Sequence, residues 1–262
     1  MARTAFLDHP GIIAMAHRGF SSGNEVLENS LAAFEAAVHL GYRYVETDVH
    51  ATRDGTLIAF HDHRLDRVTD RSGVVRELPW SVVRKAKIGG TQEIPTLDAL
   101  FESWPQLRIN IDCKAASAVV PLAETIERHA AHDRVCIASF SDSRRRAVLR
   151  RLSRPVATSG GQSVIARFVL GGRMPAQARV PLGERALRGV DCLQVPATAG
   201  RLRVVSPATL RRAHRAGAQV HVWTIDDADQ MHTLLDLGVD GIMTDRADVL
   251  RDVLIQRGQW AD

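Results

Sequence analysis

Cysteine is scarce in this chain of 262 residues: Cys113, Cys136 and Cys192 are the only three. Their number is odd and no CxxC occurs, which argues against a disulfide framework and against a thiolate zinc site. Cys113 and Cys136 fall within apolar strand patterns and read as core residues. Long hydrophobic runs are also missing. No stretch of about 18 apolar residues exists, and residues 1–10 hold no long apolar segment of the kind a secretory signal needs. The expectation is a cytoplasmic protein without stable membrane insertion. No low-complexity segment appears, and no GxGxxG follows the first apolar run, which weakens an open dinucleotide-binding sheet. Nor does any nucleic-acid motif accompany the arginines that make the net charge +4. Arg144-Arg145-Arg146, Arg150-Arg151 and Arg211-Arg212 lie inside amphipathic helical stretches, so they read as solvated helix faces and no nucleic-acid partner is expected. A mildly basic mouth suits a small anionic substrate.

What is present is a rhythm. The 45% hydrophobic fraction can fill a sizeable core at this length. Short apolar runs alternate with helical periodicity. Residues 12–17 predict a strand, and 29–40 a helix with Leu31, Phe34, Ala37 and Val38 on one face, stopped at Gly41. Residues 44–49 and 57–61 predict strands either side of the Asp54-Gly55 turn. Residues 63–107 break the pattern and read as an insertion after the third strand. Strand-helix units then resume, with strands at 108–114, 135–140, 156–158, 192–196, 219–225 and 241–244. Roughly eight such units in about 250 residues predict an α/β fold, a single TIM-type (β/α)8 barrel spanning 1–262.

In a barrel of this kind the reactive groups belong at the C-terminal ends of the strands. Here those ends carry His17-Arg18-Gly19, Glu46 and Asp48, His61-Asp62, Asp112 and Lys114, and Trp223. Residues two apart on a strand face the same way, so Glu46 joins Asp48 and Asp112 joins Lys114. Three converging carboxylates repel one another unless a cation joins them, and oxygen-only ligands suit Mg²⁺ or Ca²⁺. Arg18 and Lys114 add positive charge fit for a phosphate. His17 and His61 flank the cluster as a general base and a general acid. Each piece alone has a plain structural explanation. Their recurrence at consecutive strand ends is what points to a site.

The order of motifs resembles the glycerophosphodiester phosphodiesterase family. The matching segments are His17-Arg18-Gly19, Glu28-Asn29-Ser30, Glu46-Thr47-Asp48, His61-Asp62, residues 65–70, Ile94-Pro95-Thr96-Leu97, Asp112-Cys113-Lys114, Val222-Trp223-Thr224 and residues 238–245. They run in family order over nearly the whole chain. The resemblance implies a barrel that hydrolyses glycerophosphodiesters to an alcohol and glycerol phosphate. It implies His17 and His61 as the acid/base pair, Glu46, Asp48 and Asp112 as metal ligands, Arg18 and Lys114 as phosphate holders, and Trp223 against the glycerol.

Several positions depart from the family pattern. Residue 112 is Asp where many members carry Glu, which suggests a metal closer to the backbone or an extra water. Two additional residues lie between His17 and Glu28, in the loop 20–27. Asp226 stands where Asn is usual, and His63, read as a solvated loop residue, where Pro or a small residue is frequent. Asn29 is expected to cap the first helix. Glu28 either orients His17 or anchors the loop. His50 is expected at the surface and His221 as a hydrogen-bonded residue of the barrel interior. Two other functions compete. One is a non-catalytic phosphoglycerol-binding barrel, which would be expected to lose a histidine or a carboxylate. The other is a phospholipase D-like or lyase activity on lysolipids or sphingolipids. That activity needs an exposed apolar collar, for which Leu78, Pro79, Trp80, Val82 and Val83 are candidates.

Overall fold

The computed structural model describes residues 4–21, 27–171, 185–200 and 202–260. Among these residues two small antiparallel pairs, β4 (Lys87–Ile88) with β5 (Gln92–Glu93) and β10 (Thr198–Ala199) with β11 (Leu202–Arg203), stand apart from a main sheet of nine strands. Eight form the path, in chain order β1 (Ile13–His17), β2 (Tyr44–Ala51), β6 (Arg108–Cys113), β7 (Val135–Ala138), β8 (Ala157–Thr158), β9 (Cys192–Val195), β12 (Gln219–Val222) and β13 (Gly241–Thr244). All neighbours along the path are parallel. The two path ends meet as well: a parallel bridge joins Ser159 to Cys192, and the Gly160 N–H donates to the Cys192 carbonyl at 3.1 Å. The sheet therefore closes into a barrel, as the strand-helix rhythm predicts.

One strand behaves differently from the expectation. β3 (Leu57–Ala59) is no barrel stave; it pairs antiparallel with the second half of β2. The cause is the Asp54-Gly55 turn, where Gly55 takes φ 87°. A tight turn returns the chain beside the strand it has just left, so the pair must be antiparallel, whereas a parallel neighbour needs a long crossover. His61 reaches the barrel mouth from the far end of this hairpin. The residues that follow fold over a small core of their own, with Ile58, Phe60, Leu65, Val68, Val75, Val83, Ala86, Ile88 and Ile94 buried together. Leu78 and Trp80 pack against that core. Most of the apolar collar is thus used internally, and only Val82 of its members is an exposed large hydrophobic.

The barrel wall separates two populations of side chains. On one side Val45, Val49, Ile109, Ile111, Ile137, Val220, Val222 and Ile242 meet the helices. On the other, Ile13, Met15, Tyr44, Cys136, Ala157, Cys192 and Met243 fill the lower interior, closed from below by Phe6 and Leu7. All three cysteines are buried and free. His221 is fully buried in this interior, its Nε2 3.0 Å from Gln219 Oε1, as expected of an internal layer residue.

The first helix, Leu31–His39, is capped by Ser30 and not by Asn29. Ser30 has the extended backbone a cap requires and its Oγ accepts the Ala33 N–H at 3.2 Å. Asn29 has a left-handed backbone, φ 58°, which turns its side chain toward the barrel mouth. Arg18 and Gly19 form a second left-handed pair, with φ 55° and 85°. A Cβ added at Gly19 would lie 2.6 Å from the Ala33 backbone carbon. Gly19→Ala is therefore expected to lower stability by about 2 kcal/mol or more, through a forbidden φ and a backbone clash that no rotamer relieves. Urea unfolding of the variant measures this; a midpoint equal to that of the parent chain would show that the turn adapts.

Candidate active site

One cavity of about 630 Å³ opens at the C-terminal ends of the strands. Its lining includes His17, Arg18, Glu46, Asp48, His61, Asp112, Lys114 and Trp223, so every residue singled out for chemistry meets in one space. β1 ends on His17, β2 carries Glu46 and Asp48, β6 carries Asp112, and Lys114 follows it. The register puts Asp48 directly opposite Asp112 and His17 opposite Glu46.

The three carboxylates are buried, with Asp48 only 1% exposed. Asp48 forms ion pairs with Arg18, whose Nε lies 2.9 Å away, and with Lys114 Nζ at 2.8 Å, and accepts a hydrogen bond from Asn29 Nδ2 at 3.3 Å. Burial alone would raise its pKa; Lys114 and Arg18 overcome that and hold it below the ordinary carboxylate range. Glu46 goes the other way. Burial and the adjacent Asp48 charge push its carboxyl well up, against the pull of His17 and Arg18. Burial works against the charge of Lys114, yet Asp48 and Asp112, the latter 2.7 Å from Nζ, raise its pKa overall. Arg144 steadies the lysine's backbone, donating to the Lys114 carbonyl and, at 2.9 Å, to Ser139 Oγ.

Each histidine has its own aspartate. His17 Nδ1 lies 2.7 Å from Asp245 Oδ1, and Nε2 stands 3.7 Å from Glu46 Oε2. Burial lowers the His17 pKa, but the Glu46 and Asp245 charges outweigh it and the net shift is upward. His61 Nδ1 lies 2.6 Å from Asp62 Oδ1. Asp62 pays a burial penalty that Arg67 and His61 reverse, bringing its pKa down to about 2. Arg67 also reaches Glu28, which in turn accepts from Arg18 at 2.9 Å. Trp223 is half-buried on the cavity wall, edge-on to Phe140 at 6.2 Å between ring centroids.

The model of the glycerophosphoryl diester phosphodiesterase family matches residues 17–249. The chain belongs to that family. It is accordingly a phosphoric diester hydrolase. It is 52% identical over 260 residues to a probable glycerophosphodiester phosphodiesterase of Mycobacterium tuberculosis, covering 97% of this chain and 95% of that one. It is 25% identical over 285 residues to human lysophospholipase D, covering 92% and 85%. Among solved structures, an Oleispira antarctica phosphodiesterase in complex with sn-glycerol-3-phosphate superposes with a TM-score of 0.78 at 22% identity, over 97% of this chain and all of that one. At that identity the likeness concerns the fold.

Several residues of this phosphodiesterase depart from the sequence expectations. Glu28 does not orient His17; it pairs with Arg18 and Arg67 and anchors the loop. His50 is buried rather than superficial, since its Nε2 donates to the His61 carbonyl oxygen at 3.0 Å and so supports the hairpin end. His63 is exposed, as expected of a loop residue. Asp226 accepts from the Asp245 backbone N–H at 2.8 Å and from Thr244 Oγ1 at 2.9 Å, steadying the residue that meets His17. Asp245 and Arg67 sit inside the quoted motifs, but strand parity gives them no role because both lie beyond strand ends. Of the loop 20–27, to which the additional residues are assigned, residues 22–26 lie outside the described residues.

The donor set has the chemistry of a hard-cation site. Glu46 Oε2 and Asp112 Oδ1 are buried carboxylate oxygens with no hydrogen-bond partner, and unpaired buried oxygens of this kind are costly. Among the described residues no three His, Cys, Asp or Glu side chains stand at metal-binding geometry. The Lys114 ammonium lies between Asp48 and Asp112 instead.

Proposed function

We propose that this chain hydrolyses glycerophosphodiesters to an alcohol and glycerol 3-phosphate, with Glu46, Asp48 and Asp112 holding a divalent cation, Mg²⁺ or Ca²⁺, and His17 and His61 exchanging the protons. The observation that carries the reading is the pairing of two aspartate-oriented histidines with a buried carboxylate cluster and two cations in one cavity. When bound, the ion would offset the carboxylates and polarise a phosphoryl oxygen. Arg18 and Lys114 bind the remaining phosphate oxygens through charge-assisted hydrogen bonds. Asp245 and Asp62 each fix the tautomer of their histidine by accepting from Nδ1, which leaves Nε2 for the substrate. His17, whose pKa is raised, suits donation to the leaving alcohol oxygen, while His61 takes the proton of the water that attacks phosphorus. Trp223 gives the glycerol carbons an apolar wall.

A second reading concerns the substrate and is favoured by one feature. Beyond the catalytic residues the same cavity is lined by Ile165, Val169, Leu170, Leu202 and Val204, and Leu170 is an exposed large hydrophobic. A small polar alcohol has no use for that wall, whereas the acyl chain of a lysophospholipid would bury against it. Among the described residues no helix is long and apolar enough to cross a membrane.

Chelation is expected to abolish hydrolysis of glycerophosphocholine, with Mg²⁺ or Ca²⁺ restoring it. Asp112→Asn should shift the metal titration to higher concentration; a curve that overlays the wild type with unchanged kcat removes Asp112 from the ligand set. His17→Ala and His61→Ala should each lower kcat on an alkyl leaving group by about 10² or more. On a p-nitrophenyl diester, whose leaving group needs no proton, the His17→Ala defect should shrink and the His61→Ala defect persist. Equal defects on both substrates would reverse or dissolve the assignment of His17 as donor. For the acyl-chain reading, Leu170→Asp should lower kcat/KM on a long-chain lysophospholipid by about tenfold, the cost of burying a charge beside the chain, and spare glycerophosphocholine. Parallel losses on both substrates would count against a chain-binding wall.

A further inference from the structure

A second cavity, of about 470 Å³, shares no lining residue with the catalytic one. It lies between the helices Asp142–Leu149 and Gln162–Gly171 and the segment 185–189, which leads into the N-terminal end of β9. Among the described residues five arginines line it, Arg145, Arg146, Arg167, Arg185 and Arg188, and no acidic residue does. Leu149, Val164 and Ala186 supply its apolar surface.

The charge there is unbalanced. Some arginines outside this cavity find carboxylates: Arg128 meets Asp98 at 2.7 Å, Arg246 meets Asp248 at 2.8 Å and Arg257 meets Asp236 at 2.8 Å. Among the described residues, Arg146, Arg167, Arg185 and Arg188 form no ion pair, and Arg167 is tied only to the Ser163 carbonyl through Nε, at 3.0 Å. Arg145 is the telling one. It is 3% exposed, and its Nε is buried without an acceptor. Its nearest carboxylate, Asp142, is 3.5 Å away and already accepts from the Gly161, Ser163 and Val164 backbone N–H groups and from Ser163 Oγ. Thr158 Oγ1, at 3.1 Å, brings no charge. Burial lowers the Arg145 pKa, as expected of a guanidinium whose charge is poorly offset. The C-terminal end of a helix offers only about half an elementary negative charge, well short of five guanidiniums.

We propose that this cavity binds a small anion carrying two or more phosphoryl groups. Guanidinium forks match phosphoryl oxygens in pairs and tolerate partial burial better than ammonium groups. The volume falls within the usual range for a small-molecule site. The apolar patch provides a seat for a base or sugar, so a nucleoside di- or triphosphate and inorganic pyrophosphate share the chemistry. The helix Gln162–Gly171 contributes Val164 and Arg167 to this cavity and Ile165 and Val169 to the catalytic one, and so lies between the two.

Calorimetric titration of the full chain with pyrophosphate and with ATP, without divalent metal and at constant ionic strength, tests the proposal. Saturable one-to-one binding is expected, retained in Lys114→Ala, which disables the phosphate-binding side of the catalytic cavity. The triple variant Arg146→Ala, Arg167→Ala, Arg185→Ala removes three exposed side chains and should weaken binding at least about tenfold. Arg188→Glu provides a second, single-site variant, expected to weaken it in the same direction. Tighter binding of ATP than of pyrophosphate identifies a nucleotide; equal binding identifies the bare diphosphate unit. The proposal fails if no saturation occurs below about 10 mM. It fails equally if the arginine variants bind like the parent chain, if a Lys114→Ala chain that keeps the parent's circular-dichroism spectrum does not bind, or if only long nucleic acids bind.

Discussion

A carboxylate buried as deeply as that of Asp48 is tolerable only when cations and N–H donors surround it. Three groups do, and each comes from a different part of the chain: Arg18 after β1, Asn29 before the first helix, and Lys114 after β6. The demands of that one carboxylate account for local features that otherwise look arbitrary. The left-handed backbones of Arg18 and Asn29 aim both side chains inward. Thr47, facing away from the cavity, donates to Asn29 Oδ1 at 2.7 Å, which leaves the amide nitrogen for Asp48. Removing one partner of such a buried pair costs about 3–5 kcal/mol, so the geometry of the mouth and the stability of the fold are linked through Asp48.

The period of the β-strand divides the labour. Met15 belongs to the lower interior, and two residues on, His17 reaches the mouth. Tyr44, Glu46 and Asp48 climb one strand in the same way, and Asn110 leads to Asp112. Midway up, Gln194 Nε2 donates to Asn110 Oδ1 at 2.8 Å across the interior, and both line the cavity floor. An apolar plug therefore lies below and a polar layer above, built from the same strands. Substitutions in the upper layer need not disturb the plug, which is why reactive groups can gather there without dissolving the barrel.

What the sequence made legible follows from the same period. Parity and strand ends were enough to bring His17, Glu46, Asp48, Asp112, Lys114 and Trp223 to one cavity, because the pleat fixes side-chain direction. The helix stop is equally readable at Gly41, whose φ is 90°. The misreadings lie where no period applies. A hairpin and a parallel stave look alike as apolar runs, so residues 57–61 read as a barrel strand although the short connection through Asp54-Gly55 forbids it. Asn29 has the composition of a cap but a backbone that cannot serve as one. His50 reads as superficial since it sits beyond the barrel end of β2, yet the returning hairpin covers it. Contacts such as His17 with Asp245 span 228 positions and arise from closure of the barrel, which brings the last strand beside the first.

The register of β2 and β6 sets the surroundings of Asp112. Asp48 stands directly opposite Asp112, and neighbouring strands lie about 4.8 Å apart. Like charges in that position repel, and the Lys114 ammonium, 2.8 Å from one and 2.7 Å from the other, relieves the repulsion. The lysine thus occupies the position of a cation shared by two carboxylates, while Glu46 Oε2 and Asp112 Oδ1 keep unused lone pairs beside it. A divalent ion drawn to those oxygens would take over the neutralising task and leave the lysine's donors for a phosphate.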